Sequence, residues 1–153
     1  MALSTGARLG ELMSLTWADL DLKKGIARLS DTKNGSPRHL PLIPAALEQL
    51  QALPRPIDAT TYLFPSTKER GKNYGSGFRK YWDKALKDAE IENFRFHDLR
   101  HTAASLLTEA GVPLVTVAEI MGHKTMAMVQ RYSHVATKHK AEVVTETFKN
   151  LLG

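Results

Sequence analysis

The stretch HDLRHTAASLLTEAGVPLVTVAEIMGH, residues 97–123, reads as two successive helices with their stops written in. A helical run from His97 to Ala110 ends at Gly111, a helix-stop residue. A second run from Pro113 to Met121 ends in the same way at Gly122. Downstream, a short helix is expected from Met126 to about His134. A last one is expected over Lys138 to Leu152, with Val143, Val144, Phe148, Leu151 and Leu152 apolar.

Upstream the pattern changes. A helix capped by Ser76 and running to about Glu90 would carry Phe78, Tyr81, Trp82, Ala85 and Leu86 on one side. Before it come a charged loop from Lys68 to Lys72 and a short extended piece, Tyr62-Leu63-Phe64. Pro44 opens a helix with Ala46, Leu47, Leu50 and Leu53 on its apolar face, stopped by Pro54 and Pro56. Ile26 to Leu29 and Arg38 to Leu42 read as two strands joined through Thr32-Lys33-Asn34-Gly35, whose Asn-Gly is a strong hairpin signal. The proline in the returning strand suits a sheet edge. At the start, Leu9, Leu12, Met13 and Leu15 mark one helical face, and Trp17 to Asp21 leads into a Lys24-Gly25 turn. The chain is therefore expected to form a single α+β domain over residues 1–153, mainly α-helical, with one small antiparallel β-sheet. No internal repeat, low-complexity tract or linker interrupts it.

Composition narrows the function. The chain has 153 residues, 42% hydrophobic and 24% charged, which is globular rather than disordered. A net charge of +5 and a pI near 9.5 favour an anionic partner, of which nucleic acid is the commonest. With no cysteine, a disulfide framework, a thiolate metal site and a cysteine nucleophile are all excluded. Neither a secretory signal nor an apolar run of membrane-spanning length is present, so the expected setting is soluble and cytoplasmic.

Ionisable residues gather in three places: Arg8 and Glu11 within residues 5–12; His97, Asp98, Arg100 and His101; and His123, followed by Arg131, Tyr132 and His134. These residue types suit the handling of a phosphodiester. An arginine fork donates two parallel charge-assisted hydrogen bonds to non-bridging phosphate oxygens, and two arginines can neutralise charge that builds in a pentavalent transition state. A tyrosine attacks once its hydroxyl, of ordinary pKa about 10, has lost its proton. Histidine accepts such a proton near neutral pH, and a lysine on its flexible stem can protonate a leaving oxygen.

TGARLGEL at 5–12, HDLRHT at 97–102, LVTVAEIMGH at 114–123 and RYSH at 131–134 together resemble the tyrosine recombinase family, also called phage-type integrases. The resemblance extends from Leu3 to about Val135. It implies the helical catalytic core of that family and site-specific recombination or integration of DNA through a covalent 3′-phosphotyrosine, with neither metal nor ATP. It also implies a role for each site residue. Tyr132 is the nucleophile, Arg8 and Arg100 clamp the scissile phosphate, and His97 assists as acid–base or hydrogen-bond partner. His123 donates to the phosphoryl group, and Lys33 in the hairpin turn protonates the leaving 5′-hydroxyl. Glu11 supports Arg8 from behind. The implied partner is duplex DNA, bound by a homotetramer in the full-length protein, with this domain alone monomeric and the setting nucleoid-associated. Family members carry a preceding DNA-binding domain that is not in this sequence. The chain opens just before the first arginine box, so the start of the first helix is expected to be cut.

Plainer readings stand beside these. Arg8 and Arg100 suit surface ion pairs, His123 a helix C-terminus and Tyr132 a core position. His97 and His101, four apart, have the spacing of a zinc pair, but Arg100 between them opposes a cation, and His101 reads as a packing residue or a support behind the site. Lys33 competes with Lys23, Lys24 and Arg38. The tail after Lys138 suits a final core helix as well as a contact with a neighbouring protomer. The alternative functions are a truncated, non-catalytic DNA-binding module and a type IB topoisomerase-like DNA relaxer.

Overall fold

The computed structural model describes residues 1–29, 37–66, 69, 71–75, 77–123, 125–133, 143–145 and 147–149. Lys33 with the rest of the expected hairpin turn, the expected cap Ser76, and His134 lie outside the described residues, as does much of the tail.

The N-terminal half is built on a three-stranded antiparallel sheet of order β1-β2-β3, from Leu20–Asp21, Ile26–Leu29 and Arg38–Pro41. Ala27 pairs with Leu40 and Leu29 with Arg38. Because side chains alternate along a strand, Ala27, Leu29 and Leu40 turn to the core, where each is at most 4% exposed. Arg38 shares the face of Leu40, which aims it inward. The strand with proline, β3, is an edge, as its composition suggested. The Leu20–Asp21 strand was not expected.

The opening helical pattern divides into α1, Ala2–Thr5, and α2, Leu9–Ser14. A left-handed Gly6, at φ 61°, separates them. Helix α3, Pro44–Ala52, starts at its proline and buries Ala46 and Leu50. Leu50 joins Leu12, Leu15, Leu42 and Leu63 in one core. Tyr62 bridges to Thr16, which places the extended piece beside the end of α2.

The C-terminal half is helical: α4, Phe78–Asp88; α5, Asp98–Glu109; α6, Leu114–Met121; and α7, Ala127–Gln130. Ala103 and Ala104 of α5, Val117, Ala118 and Met121 of α6, and Val129 of α7 form a second core with Tyr132. Helix α1 packs on α5 and joins the two halves. On α4 the expected apolar side is narrower than the spacing suggested. Tyr81 is 59% exposed, while Phe78 and Trp82 pack on Phe96, with ring centroids 4.9 and 5.2 Å apart. In the tail, residues 143–145 and 147–149 are helical, and Val143, Val144 and Phe148 are exposed. Among the described residues no helix is long and apolar enough to cross a membrane.

Leu40 is fully buried at the centre of the first core. Leu40→Ala is expected to lower unfolding free energy by about 2–5 kcal/mol. The fully exposed Ile57 should tolerate serine within roughly 0.5 kcal/mol. Urea denaturation of the two variants checks the contrast.

Candidate active site

Helix α5 is fixed at its start by Asp98, whose carboxylate accepts the Arg95 backbone N–H at 2.8 Å. The first turn then carries Arg100 inward, where it is 4% exposed. Its Nη1 donates to the carbonyl of Gly6 and its Nη2 to the carbonyl of Met121, each at 2.5 Å. Both acceptors close helices, α1 and α6, where carbonyls lack helical partners. Burial, with Arg8 and Arg38 nearby, lowers the Arg100 pKa to about 10, so it remains a cation at neutral pH. Among the described residues it forms no ion pair.

Arg8 and Arg38 share one carboxylate. Glu11 accepts Arg8 Nη1 at 2.8 Å and the Arg8 backbone N–H at 2.8 Å. It also accepts the Arg38 fork at 3.1 and 2.8 Å. Burial raises the Glu11 pKa, but the hydrogen bonds from Arg38 and Arg8 reverse this and hold it below the ordinary carboxylate range. The Arg8 side chain stays 34% exposed, whereas that of Arg38 is 9% exposed. Arg8 is therefore the arginine of this pair that faces solvent, and Arg38 lies behind the carboxylate.

His123 follows the left-handed Gly122 that ends α6, at φ 62°. A Cβ on Gly122 would lie 2.3 Å from Arg38 Nη1, so this turn packs directly on the Arg38 guanidinium. His123 Nδ1 is buried without a hydrogen-bond partner among the described residues. Burial, then the charges of Arg100, Arg8, Arg131 and Arg38, depress its pKa to about 4. The ring is thus neutral at physiological pH.

Tyr132 lies just beyond α7, its backbone N–H bonded to the Val129 carbonyl. It is 6% exposed, and its hydroxyl is 2.7 Å from His101 Nδ1. Burial raises its pKa above 10, opposed by Arg131 and Arg100. The His97 ring stands edge-on to that of His101, with centroids 5.0 Å apart. Burial, then His101 and Arg100, lower the His97 pKa.

Of the candidates named from sequence, Arg8, His97, Arg100, His123 and Tyr132 fall in one electrostatic neighbourhood centred on Arg100. Lys33 lies outside the described residues, between Leu29 and Arg38. Two further side chains belong to the cluster. His101, taken as a packing residue or a support behind the site, holds the Tyr132 hydroxyl, and the signal was its position one helical turn after His97. Arg38, weighed only as an alternative to Lys33, binds Glu11, and the signal was its register with Leu40 on the inward face. Such a cluster, with four arginines around His123 and the Glu11 carboxylate shared by two of them, can hold an anion of phosphate size beside a phenol.

The model of the phage integrase family matches residues 1–139. A shufflon-specific DNA recombinase of Escherichia coli is 37% identical over 136 residues, which cover 88% of this chain and 33% of the recombinase. The crystal structure of XerA recombinase superposes with a TM-score of 0.74 at 26% identity, covering 95% of this chain and 55% of the other. The Tn1549 transposon integrase, in complex with a circular intermediate DNA, gives a TM-score of 0.64 at 26% identity, covering 86% of this chain and 51% of that one. The chain thus spans a third to about half of the length of these relatives.

Gly122→Ala forces a left-handed alanine whose Cβ meets the Arg38 guanidinium. Its expected cost, on the order of 1–3 kcal/mol, is read as a fall in urea midpoint. A second outcome concerns pH. His97 and His123 both have folded-state pKa values below the ordinary 6.5, that of His123 at about 4. Between those values the unfolded chain binds more protons than the folded one, so stability present above pH 6.5 is lost as the pH falls toward 4. Melting temperatures should drop across this window, and His123→Asn should flatten part of the drop.

Proposed function

Because the chain belongs to the phage integrase family, with residues 1–139 matched, we propose that it is the catalytic domain of a site-specific DNA recombinase working through Tyr132. The observation that carries this reading is Arg100, a buried cation without an ion-pair partner among the described residues, whose charge reaches Tyr132. A buried charge is costly unless an opposite one joins it. A scissile phosphate supplies that opposite charge.

In this mechanism the phosphodiester docks between Arg8 and Arg100, with His123 as a neutral donor from its imidazole N–H. The Tyr132 oxygen attacks phosphorus and the bond to the 5′-oxygen breaks. The strand is left joined through a 3′-phosphotyrosine. Lys33 delivers a proton to the departing 5′-oxygen. Attack by a 5′-hydroxyl of another strand reverses the steps and releases the tyrosine. The phosphoester bond persists in altered form throughout, so the cycle calls for neither ATP nor a metal. His97, next to His101, supports the proton traffic.

Duplex DNA is the substrate on this reading. The net charge of +5 and the DNA-bound form of the Tn1549 relative support it. Residues 1–153 act as one catalytic domain of a larger DNA-associated assembly, a tetramer on paired sites. The separate DNA-binding domain typical of the family supplies further base contacts.

A nicked suicide duplex tests the reading. The chain should form a covalent protein–DNA adduct, lost in Tyr132→Phe and reduced about 10²–10³-fold in Arg100→Ala, as for removal of a transition-state donor. Binding that weakens with salt and yields no adduct would indicate a non-catalytic module instead. Site-independent relaxation of supercoiled plasmid would indicate a relaxer.

A further inference from the structure

The hydroxyl of Tyr132 and Nδ1 of His101 are 2.7 Å apart. The ring planes are tilted by 43° with centroids 6.3 Å apart, so the contact runs through the polar tips rather than through ring packing. Both partners stand on elements anchored in one core: His101 on α5 beside the buried Ala103 and Ala104, Tyr132 after the buried Val129. The geometry is therefore held by packing on both sides and does not depend on a flexible stem. Bulk water reaches Tyr132 poorly, since the residue is 6% exposed. The proton of a buried phenol must leave through a group already in contact with it.

We propose that His101 is the base that accepts the Tyr132 proton during DNA cleavage. This rests on the reading of Tyr132 as nucleophile. As the phenolic oxygen bonds to phosphorus and the bond to the 5′-oxygen breaks, the hydroxyl proton passes to His101 Nδ1. On religation a 5′-hydroxyl attacks phosphorus, the phenolic oxygen leaves, and His101 returns the proton to it. The transfer requires Nδ1 to be unprotonated at rest, with the ring proton on Nε2. The charged groups around the pair fit this direction. Arg100 and Arg131 act on Tyr132 and favour its anion, and the Asp98 carboxylate interacts with His101. The neighbouring ring of His97 opposes a cation on His101 when His97 is itself charged, and its lowered pKa keeps it neutral. His97, assigned acid–base assistance by family resemblance, then acts one residue removed from the phenol.

The test measures adduct formation on the nicked duplex. His101→Asn can keep a hydrogen bond to the hydroxyl but takes no proton. It is expected to slow adduct formation about 10²-fold or more, the usual weight of a positioned base. Fluorinated tyrosine at position 132, which ionises at lower pH, should recover at least about tenfold of that loss, because a weaker demand for a base follows from a more acidic phenol. A substrate with sulfur at the leaving 5′ position needs no proton on its leaving group and should not recover it. Normal adduct formation by His101→Asn, an equal loss with both phenols, or rescue by the sulfur substrate would each overturn the proposal. If His101→Asn fails to fold, nitrogen NMR of the unsubstituted chain decides, since a protonated Nδ1 in the neutral ring overturns it and a bare one supports it. Failure of the nucleophile reading is distinct: the unsubstituted chain would then give no adduct at all.

Discussion

A single buried guanidinium organises this domain. Arg100 donates to carbonyls at the ends of α1 and α6, two helices separated by most of the chain. One carbonyl belongs to the left-handed Gly6 and the other precedes the left-handed Gly122, and each glycine leaves room for a neighbour that a Cβ would displace: Met121 over Gly6, Arg38 over Gly122. The helix ends, the glycines and the arginine form one interlocked unit. Without Arg100 the orphan carbonyls would lose their donors. Without either glycine the helix ends could not approach so closely.

The charge arrangement follows from that unit. Because Arg100 is satisfied by neutral carbonyls, its hydrogen bonds are met while its charge is not. Glu11 meets Arg38 in a buried fork and touches the more exposed Arg8 as well. One carboxylate thus orients two arginines and leaves excess positive charge in the site. Burial, helped by that excess, keeps His123 neutral, and the excess opposes the rise that burial imposes on the Tyr132 pKa. An electropositive cluster containing a neutral imidazole and a protonated phenol is suited to an anion.

Much of the fold was legible because its signals are local. Pro44, the stops after α5 and α6, and the alternation in β2 and β3 each act within a few residues. Features decided by distant partners were not. Strand β1 has only two residues and exists through its pairing with β2. The face of α4 is set by Phe94 and Phe96, which follow the helix, so Tyr81 turned out exposed despite fitting the spacing. In the site, Arg8, His97, Arg100, His123 and Tyr132 could be named from their boxes. The hydrogen bond between His101 and Tyr132 joins residues 31 apart and arises from how α5 and α7 each pack on α6. The inward aim of Arg38 likewise needed the register of β3 against β2.

The central claim is that one phosphate binds where the Arg100 charge is unmet, within reach of the Tyr132 oxygen. A crystal structure of the chain with a nicked duplex tests it most directly. The account predicts the scissile phosphate between the Arg8 and Arg100 guanidiniums, His123 on a non-bridging oxygen, and the phenolic oxygen of Tyr132 in line with the 5′-oxygen. A duplex whose phosphates lie only along the exposed basic side chains of α4, with the Arg100 neighbourhood filled by solvent, would contradict it.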